Sequence, residues 1–173
     1  TKFTLEGPEA AEALSRIVCG ALPPVGRVRL SYMLTPKGRI WSEATIARLG
    51  EDKFLLCGPT LAIDRDFDWL SAGLAGANVI LRKGHPQDGA LMVMGPKSRA
   101  LLQDLTDADL SVANAPWMSV AEIKIAGVQV TAMRVSYVGE LGWELHVASS
   151  DLPKLYNAIW QAGTAHGICN FGS

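Results

Sequence analysis

The sequence predicts an α+β fold built from two strand–helix–strand–strand units in tandem, each with an antiparallel sheet and helices on one side. Two observations support this prediction. Gly7-Pro8 and Gly95-Pro96 each follow an alternating apolar run and precede apolar residues at helical spacing. After each helix the chain returns to alternating runs, so its second half repeats the pattern of the first. The predicted units span residues 1–86 and 87–173.

The first unit opens with the alternating run KFTLE, followed by a helix with apolar residues at Ala10, Ala11, Leu14 and Ile17. RVRLSYML and RIWSEATIARL flank the turn TPKG and predict a β-hairpin, because Pro36 and Gly38 are favoured turn residues. KFLLCG predicts a third strand. DRDFDWLSAGL predicts a second helix with Asp64 as its N-cap.

The second unit repeats this order. ALMVMGPKSRALLQDL predicts a strand, a Gly-Pro turn and a helix. AEIKIAG, VQVTAMRVSY and ELGWELHV predict three further strands, and a last helix is expected over residues 152–165.

Composition excludes several classes of protein. The net charge is −1, with Lys and Arg scattered along the chain, so no basic surface for nucleic acid or membrane lipid is expected. The apolar runs are shorter than the roughly 20 residues of a spanning helix. The three cysteines form no CxxC pair and the histidines no cluster, which predicts free thiols and no metal site. A reducing compartment is expected, the cytoplasm or, in a eukaryote, the mitochondrial matrix.

The segment ELGWELHV contains the first candidate site. As a strand it places Glu140, Gly142, Glu144 and His146 on the face opposite Leu141, Trp143, Leu145 and Val147. The polar face is either a solvated outer surface or the lining of a pocket. Gly139 and Gly142 favour a bulge or a close approach of a ligand to the backbone.

Two further acidic groups were considered as sites. Glu43 lies in the predicted hairpin between apolar neighbours and is either solvated or functional. Asp64, Asp66 and Asp68 are better explained as acids at a helix start than as a metal cluster, because helical geometry points them in different directions. Neither a phosphate-binding glycine loop nor a Gly-x-Ser-x-Gly elbow occurs.

The chain begins TKFTLEG, without an initiator Met, and ends ICNFGS within an apolar segment. It is therefore expected to be an excerpt of a longer protein, with flanking domains missing.

SYVGELGWELHV resembles the Tyr-Thr-Gly-Glu-x-Gly-x-Glu signature of the aminomethyltransferase, or glycine-cleavage T-protein, folate-binding family. The chain is most similar to the folate-binding C-terminal region of dimethylglycine and sarcosine dehydrogenases. MLTPKGRIWSEATIARL, KFLLCG, DFDWL, VMGPKSRALLQDLTDADLS and GICNFGS resemble that subgroup in order and spacing. The resemblance implies a truncated T-protein-like folate-binding fold.

The resemblance also implies roles for individual residues. Tyr137 and Glu144 occupy the positions that reach tetrahydrofolate, where two carboxylate oxygens match two parallel N–H donors of the pterin. Glu43 occupies the place of the family's key Asp and is the expected catalytic carboxylate. Leu30 and Cys57 fall where the family has apolar wall residues. Glu140 is expected to be a supporting residue and His146 an incidental one.

The function implied is transfer of a one-carbon unit to tetrahydrofolate by part of an aminomethyltransferase or a folate-dependent demethylating dehydrogenase. The expected donor is a methylated amine or an amino acid. FAD is expected only in a missing N-terminal domain, so that a flavin domain in cis or in a partner chain would oxidise the amine. The open alternatives are a free-standing aminomethyltransferase, a non-catalytic folate-binding module, and a sheet whose acidic residues are merely solvated.

Overall fold

A computed structural model describes residues 1–84 and 88–172 of the chain. Contacts divide the chain into two compact units, Thr1–His85 and Pro86–Ser173. Each unit contains one antiparallel sheet and two α-helices among its described residues, so the predicted α+β class is confirmed. Among these residues no helix is long and apolar enough to cross a membrane.

The first unit is built on a six-stranded sheet with the order β2-β3-β4-β5-β1-β6. Its strands are β1 Lys2–Glu6, β2 Val18–Cys19, β3 Val28–Leu34, β4 Ile40–Gly50, β5 Lys53–Cys57 and β6 Ile80–Lys83. β3 and β4 form the predicted hairpin, and β1 pairs with both β5 and β6. The two edge strands were not predicted, because β2 has only two residues and β6 has no buried residue to set an alternation.

Two helices, α1 (Ala10–Ser15) and α2 (Ile63–Gly73), cover one face of this sheet. The core between helices and sheet consists of buried apolar side chains from β1, β3, β4, β5, α1 and α2, among them Leu5, Met33, Ile46, Phe54, Leu14 and Leu70. Alternation along β4 sends Ser42, Ala44 and Ile46 into this core. Glu43 and Thr45 therefore lie on the opposite face of the sheet.

The predicted N-cap of α2 is wrong. A 3₁₀ turn over Thr60–Ala62 leads directly into the helix, so Ala62 occupies the cap position and Asp64 lies in the first turn. Asp64 is exposed and pairs with Lys83 instead. Asp66 is 2% exposed and accepts hydrogen bonds from Ser42 Oγ at 2.6 Å and from the Arg65 guanidinium at 2.9 and 3.0 Å.

We expect Asp66→Ala to lower the free energy of unfolding by about 2 kcal/mol, because it leaves the buried Ser42 hydroxyl without its acceptor. Asp68→Ala is the matched control, since Asp68 is an exposed residue of the same helix and its loss should change stability by less than about 0.5 kcal/mol. Urea denaturation measures both effects. Equal destabilisation by the two variants would contradict a structural role specific to Asp66.

The second unit is built on a four-stranded sheet with the order β7-β10-β9-β8. Its elements are β7 Gly89–Met94, α3 Ser98–Gln103, β8 Val120–Ile125, β9 Val128–Met133, β10 Gly142–Val147 and α4 Leu152–Gly163. α3 and α4 pack on one face, against a core that includes Leu101, Leu102, Leu155, Val130, Trp143 and Leu145. β9 ends at Met133 and β10 begins at Gly142, so the predicted strand ends around Tyr137 lie instead in the connection.

Candidate functional site

In the first unit, Leu30, Glu43 and Cys57 lie on the sheet face opposite α1 and α2. Thr45 of β4 pairs with Leu30 of β3 on one side and with Cys57 of β5 on the other. Paired residues share a face, so these three form a row across the sheet. Glu43 lies two residues from Thr45 on the same face, about 7 Å along the strand. The structure thus brings together the three residues of this unit that the sequence singled out.

Tyr32 is a member of this face that the sequence analysis missed. It pairs directly with Glu43 across β3 and β4 and is half-buried, whereas Glu43 itself is exposed. The signal was available, since Leu30 and Tyr32 are two residues apart in one strand and must point the same way. The exposed half of this face therefore combines a carboxylate with an aromatic ring and an exposed leucine.

In the second unit, Glu144 occupies β10, an inner strand of the sheet. Its strand neighbours are Met92 of β7 and Met133 of β9. Met133 is fully buried, Met92 is 47% exposed, and 22% of the Glu144 side chain is exposed. The carboxylate is therefore partly buried between two flexible, polarisable side chains.

His146 does not belong to a solvated outer face. It lies two residues beyond Glu144 on the same side of β10, pairs with Ala90 and Thr131, and is only 3% exposed. Its Nε2 is 3.4 Å from Oε2 of Glu144. The burial of this histidine beside Glu144 was not predicted from the sequence.

Gly139 and Gly142 are each required by a different structural feature. A Cβ on Gly142 would lie 2.9 Å from Cγ of Met94 and 3.0 Å from the carbonyl oxygen of Val93. The close approach at Gly142 is thus made by strand β7, and no ligand is needed to explain it. Gly139 has φ +83°, a left-handed conformation suited to the turn between β9 and β10, and a Cβ added there would have no described heavy atom within 4 Å.

Tyr137 lies in that connection and is 95% exposed. The structure places it in the same unit as Glu144, seven residues earlier and across the turn at Gly139. An exposed aromatic ring with a phenolic hydroxyl is available to contact a ligand by stacking or by hydrogen bonding.

Beneath β10, Trp143 supports the strand from the core side. It is 1% exposed, and the guanidinium carbons of Arg99 and Arg134 each lie 5.7 Å from its ring centroid. Burial, with a further contribution from the positive charge of Arg99, lowers the pKa of Arg134. Arg134 also donates a hydrogen bond to the carbonyl oxygen of Ala115 at 2.7 Å. Sequence alternation identified Trp143 as inward-facing but gave no signal for the two arginines.

Among residues 1–84 and 88–172, no group of three or more His, Cys, Asp or Glu side chains could hold a metal ion. In α2, Asp64 pairs with Lys83. Asp66 accepts a hydrogen bond from Ser42 and pairs with Arg65. The two described faces carry carboxylates, aromatic rings and apolar side chains, together with the Cys57 thiol and the His146 imidazole.

The α+β units and the Tyr137–Glu144 signature define the chain as an aminomethyltransferase-like domain. The GCVT N-terminal domain family matches residues 1–173, and the chain belongs to that family. The family predicted from the signature is thereby confirmed.

Relatives of two kinds match the chain. Human mitochondrial dimethylglycine dehydrogenase is 37% identical over 99% of this chain and 20% of its own length. The aminomethyltransferase of Bacillus subtilis is 33% identical over 98% of this chain and 47% of its own length. The chain thus spans about a fifth of the dehydrogenase and about half of the transferase.

Solved structures agree with this assignment. The crystal structure of the glycine cleavage system aminomethyltransferase T from Bartonella henselae superposes with a TM-score of 0.73 at 26% identity, covering 91% of this chain and 42% of that one. A heterotetrameric sarcosine oxidase from Corynebacterium sp. U-96 gives a TM-score of 0.73 at 18% identity over 99% of this chain and 83% of that one. The second likeness concerns the fold alone.

Proposed function

We propose that this chain is a tetrahydrofolate-binding domain that supports transfer of a one-carbon unit from a methylated amine or amino-acid donor. The observation that supports this most directly is Glu144. It is a half-buried carboxylate on an inner strand, flanked by methionines, at the last position of the family signature. Such a carboxylate is suited to a flat heterocycle that carries adjacent N–H donors.

The side chains around Glu144 in the second unit are suited to a reduced pterin. Glu144 offers two acceptor oxygens for the ring N–H and the amino group, and Met92, which is 47% exposed, offers apolar contact to the ring. Tyr137, almost fully exposed, contacts the ligand from the connection between β9 and β10. Tetrahydrofolate, when bound, supplies the nitrogens that accept the one-carbon unit.

Glu43 is the proposed catalytic carboxylate, contributed by the first unit. It is exposed on the face that carries Leu30, Tyr32 and Cys57, so its charge is accessible to a ligand. A carboxylate in this role stabilises positive charge that develops on a reacting nitrogen. Leu30 and Cys57 form the apolar wall beside it.

We expect Glu43→Gln to lower the rate of one-carbon transfer about a hundredfold while the dissociation constant for tetrahydrofolate changes less than about threefold. The assay is single-turnover transfer in the full-length protein, with dimethylglycine and sarcosine as donors. Glu51→Gln is the control, since Glu51 is an exposed carboxylate at the turn between β4 and β5. An unchanged transfer rate in Glu43→Gln would remove Glu43 from the catalytic role.

The whole protein is proposed to be a dehydrogenase of the dimethylglycine or sarcosine type, with a flavin domain in cis or in a partner chain. Human mitochondrial dimethylglycine dehydrogenase is 37% identical to this chain, and a sarcosine oxidase subunit alpha from Rhizobium meliloti matches 99% of this chain at 31% identity. A free-standing aminomethyltransferase is the alternative. A long flavin-binding region upstream of Thr1 would favour the dehydrogenase. The proposed location is the mitochondrial matrix if the protein is eukaryotic and the cytoplasm otherwise.

Calorimetric titration of the full-length protein with tetrahydrofolate tests the proposal. We expect saturable binding with a micromolar or lower dissociation constant. Absence of binding heat with reduced folate at several temperatures would exclude the proposed function. Binding without carbon transfer from any amine tested would favour a non-catalytic folate-binding module.

A further inference from the structure

The imidazole of His146 is a buried polar group that the proposed folate contacts do not use. The residue is 3% exposed, and within the described part of the chain neither ring nitrogen has a hydrogen-bond partner. Buried polar side chains are normally hydrogen-bonded, and each exception calls for an explanation. The family signature ends at Glu144, so it assigns no role to this histidine.

The charged group next to His146 is the Glu144 carboxylate. The two side chains project from the same face of β10, and Nε2 lies 3.4 Å from Oε2. A hydrogen bond between these atoms is usually 2.7–3.2 Å long, so a small shift that shortens the distance and aligns the N–H with the oxygen would form one. Hydrogen bonds at ligand sites are often long in the free protein and shorten when the ligand binds.

The surroundings favour such a bond. Along this row His146 has Ala90 and Thr131 as strand neighbours, and Glu144 has Met92 and Met133. Thr131 and Met133 of β9 are fully buried, whereas Ala90 and Met92 of β7 are exposed, so the pair is shielded from water on its β9 side. Electrostatic hydrogen bonds are stronger in such surroundings than in water.

We propose that His146 is a positioning residue that donates a hydrogen bond from Nε2–H to Oε2 of Glu144 and so holds the carboxylate in the orientation that receives the ligand. A neutral imidazole with its proton on Nε2 suffices. Each carboxylate oxygen has two lone pairs, so Glu144 accepts this bond and still accepts two donors from the ligand. The inference rests on the proposed binding of tetrahydrofolate at Glu144.

The experiment measures tetrahydrofolate affinity of the full-length protein by calorimetry in four His146 variants, with Glu144→Gln alone as the reference for the double variant. His146→Leu keeps the volume and removes the donor, and we expect the dissociation constant to rise about tenfold. His146→Gln places an amide N–H near the position of Nε2 and should stay within about threefold of the wild type. His146→Asn, whose amide reaches only the position of Nδ1, should resemble His146→Leu. The fourth variant combines His146→Leu with Glu144→Gln.

The double variant tests whether His146 acts through Glu144. In the Glu144→Gln background we expect His146→Leu to add less than about a twofold further loss, because the positioned carboxylate is already absent. A purely structural role would give independent effects and would not separate Gln from Asn. Thermal unfolding identifies any variant that fails to fold. Gln and Asn carry the same amide group, so a difference in affinity between His146→Gln and His146→Asn shows that the position of the donor matters.

The possible outcomes separate the two proposals. If the wild type binds no tetrahydrofolate, both the proposed function and this inference are overturned. If the wild type binds and Glu144→Ala weakens binding, but His146→Leu binds like the wild type or Gln and Asn behave alike, this inference alone is overturned.

Discussion

Replacing Glu144 with alanine is expected to weaken tetrahydrofolate binding by about a hundredfold. The variant removes the acceptor of two charge-assisted hydrogen bonds, each worth about 1.5–3 kcal/mol, and leaves the two ligand donors unpaired. Part of this loss is regained if water enters the space, because 22% of the side chain is exposed. Calorimetric titration of the full-length protein measures the change.

Glu122→Ala is the control for this prediction. Glu122 is an exposed carboxylate on the same face of the same sheet, paired with Thr131 across β8 and β9. Its removal changes the local charge as Glu144→Ala does, so it should leave affinity within about twofold of the wild type. Similar losses in both variants would show that net charge, and not a specific contact at Glu144, governs binding.

The Trp143→Ala variant is expected to lose about 3–5 kcal/mol of unfolding free energy, the range for a large aromatic side chain removed from a core. Trp143 is 1% exposed, packs among the residues between sheet and helices of the second unit, and has two guanidinium groups near its ring. Its loss leaves a cavity and deprives Arg99 and Arg134 of cation–π contact. Denaturant unfolding monitored by circular dichroism gives the change.

Trp160→Ala provides the matched comparison. Trp160 lies in α4 of the same unit, is 37% exposed and stacks on Tyr156. Because much of its surface is already in water, its removal should cost less than about 1.5 kcal/mol. A loss of stability as large as that of Trp143→Ala would contradict the central packing role assigned to Trp143.

Local patterns predicted most of the fold. The β3–β4 hairpin followed from alternation on both sides of Pro36 and Gly38, and the four α-helices followed from apolar spacing. The failures were at positions where no pattern exists. β2 and β6 are short edge strands, and the start of α2 is set by a 3₁₀ turn that places Ala62 at the cap. β2 and β6 depend on hydrogen bonds to β3 and β1, which lie elsewhere in the sequence. The 3₁₀ turn is closed locally, by a hydrogen bond from the Ala62 N–H to the Pro59 carbonyl, and no apolar spacing marks it.

The candidate site divides in the same way. Family resemblance supplied Tyr137, Glu144 and Glu43 as single residues, and nothing in the sequence placed them in relation to one another. In the first unit, strand register showed which candidate residues are neighbours, because Leu30 and Cys57 pair with Thr45 from opposite sides of β4. Strand register also added Tyr32, which pairs with Glu43. The roles of these residues stay predictions until binding and transfer are measured.

By itself the sequence determined which side chains of each strand share a face, because alternation is a property of the extended backbone. Glu144 and His146 were correctly placed together in this way. Only the tertiary structure decided that His146 is buried and Glu144 mostly buried on this face, that β7 is the reason for Gly142, and that arginines lie beside Trp143. Burial depends on which distant segments pack against a strand, and a local sequence pattern does not identify those segments.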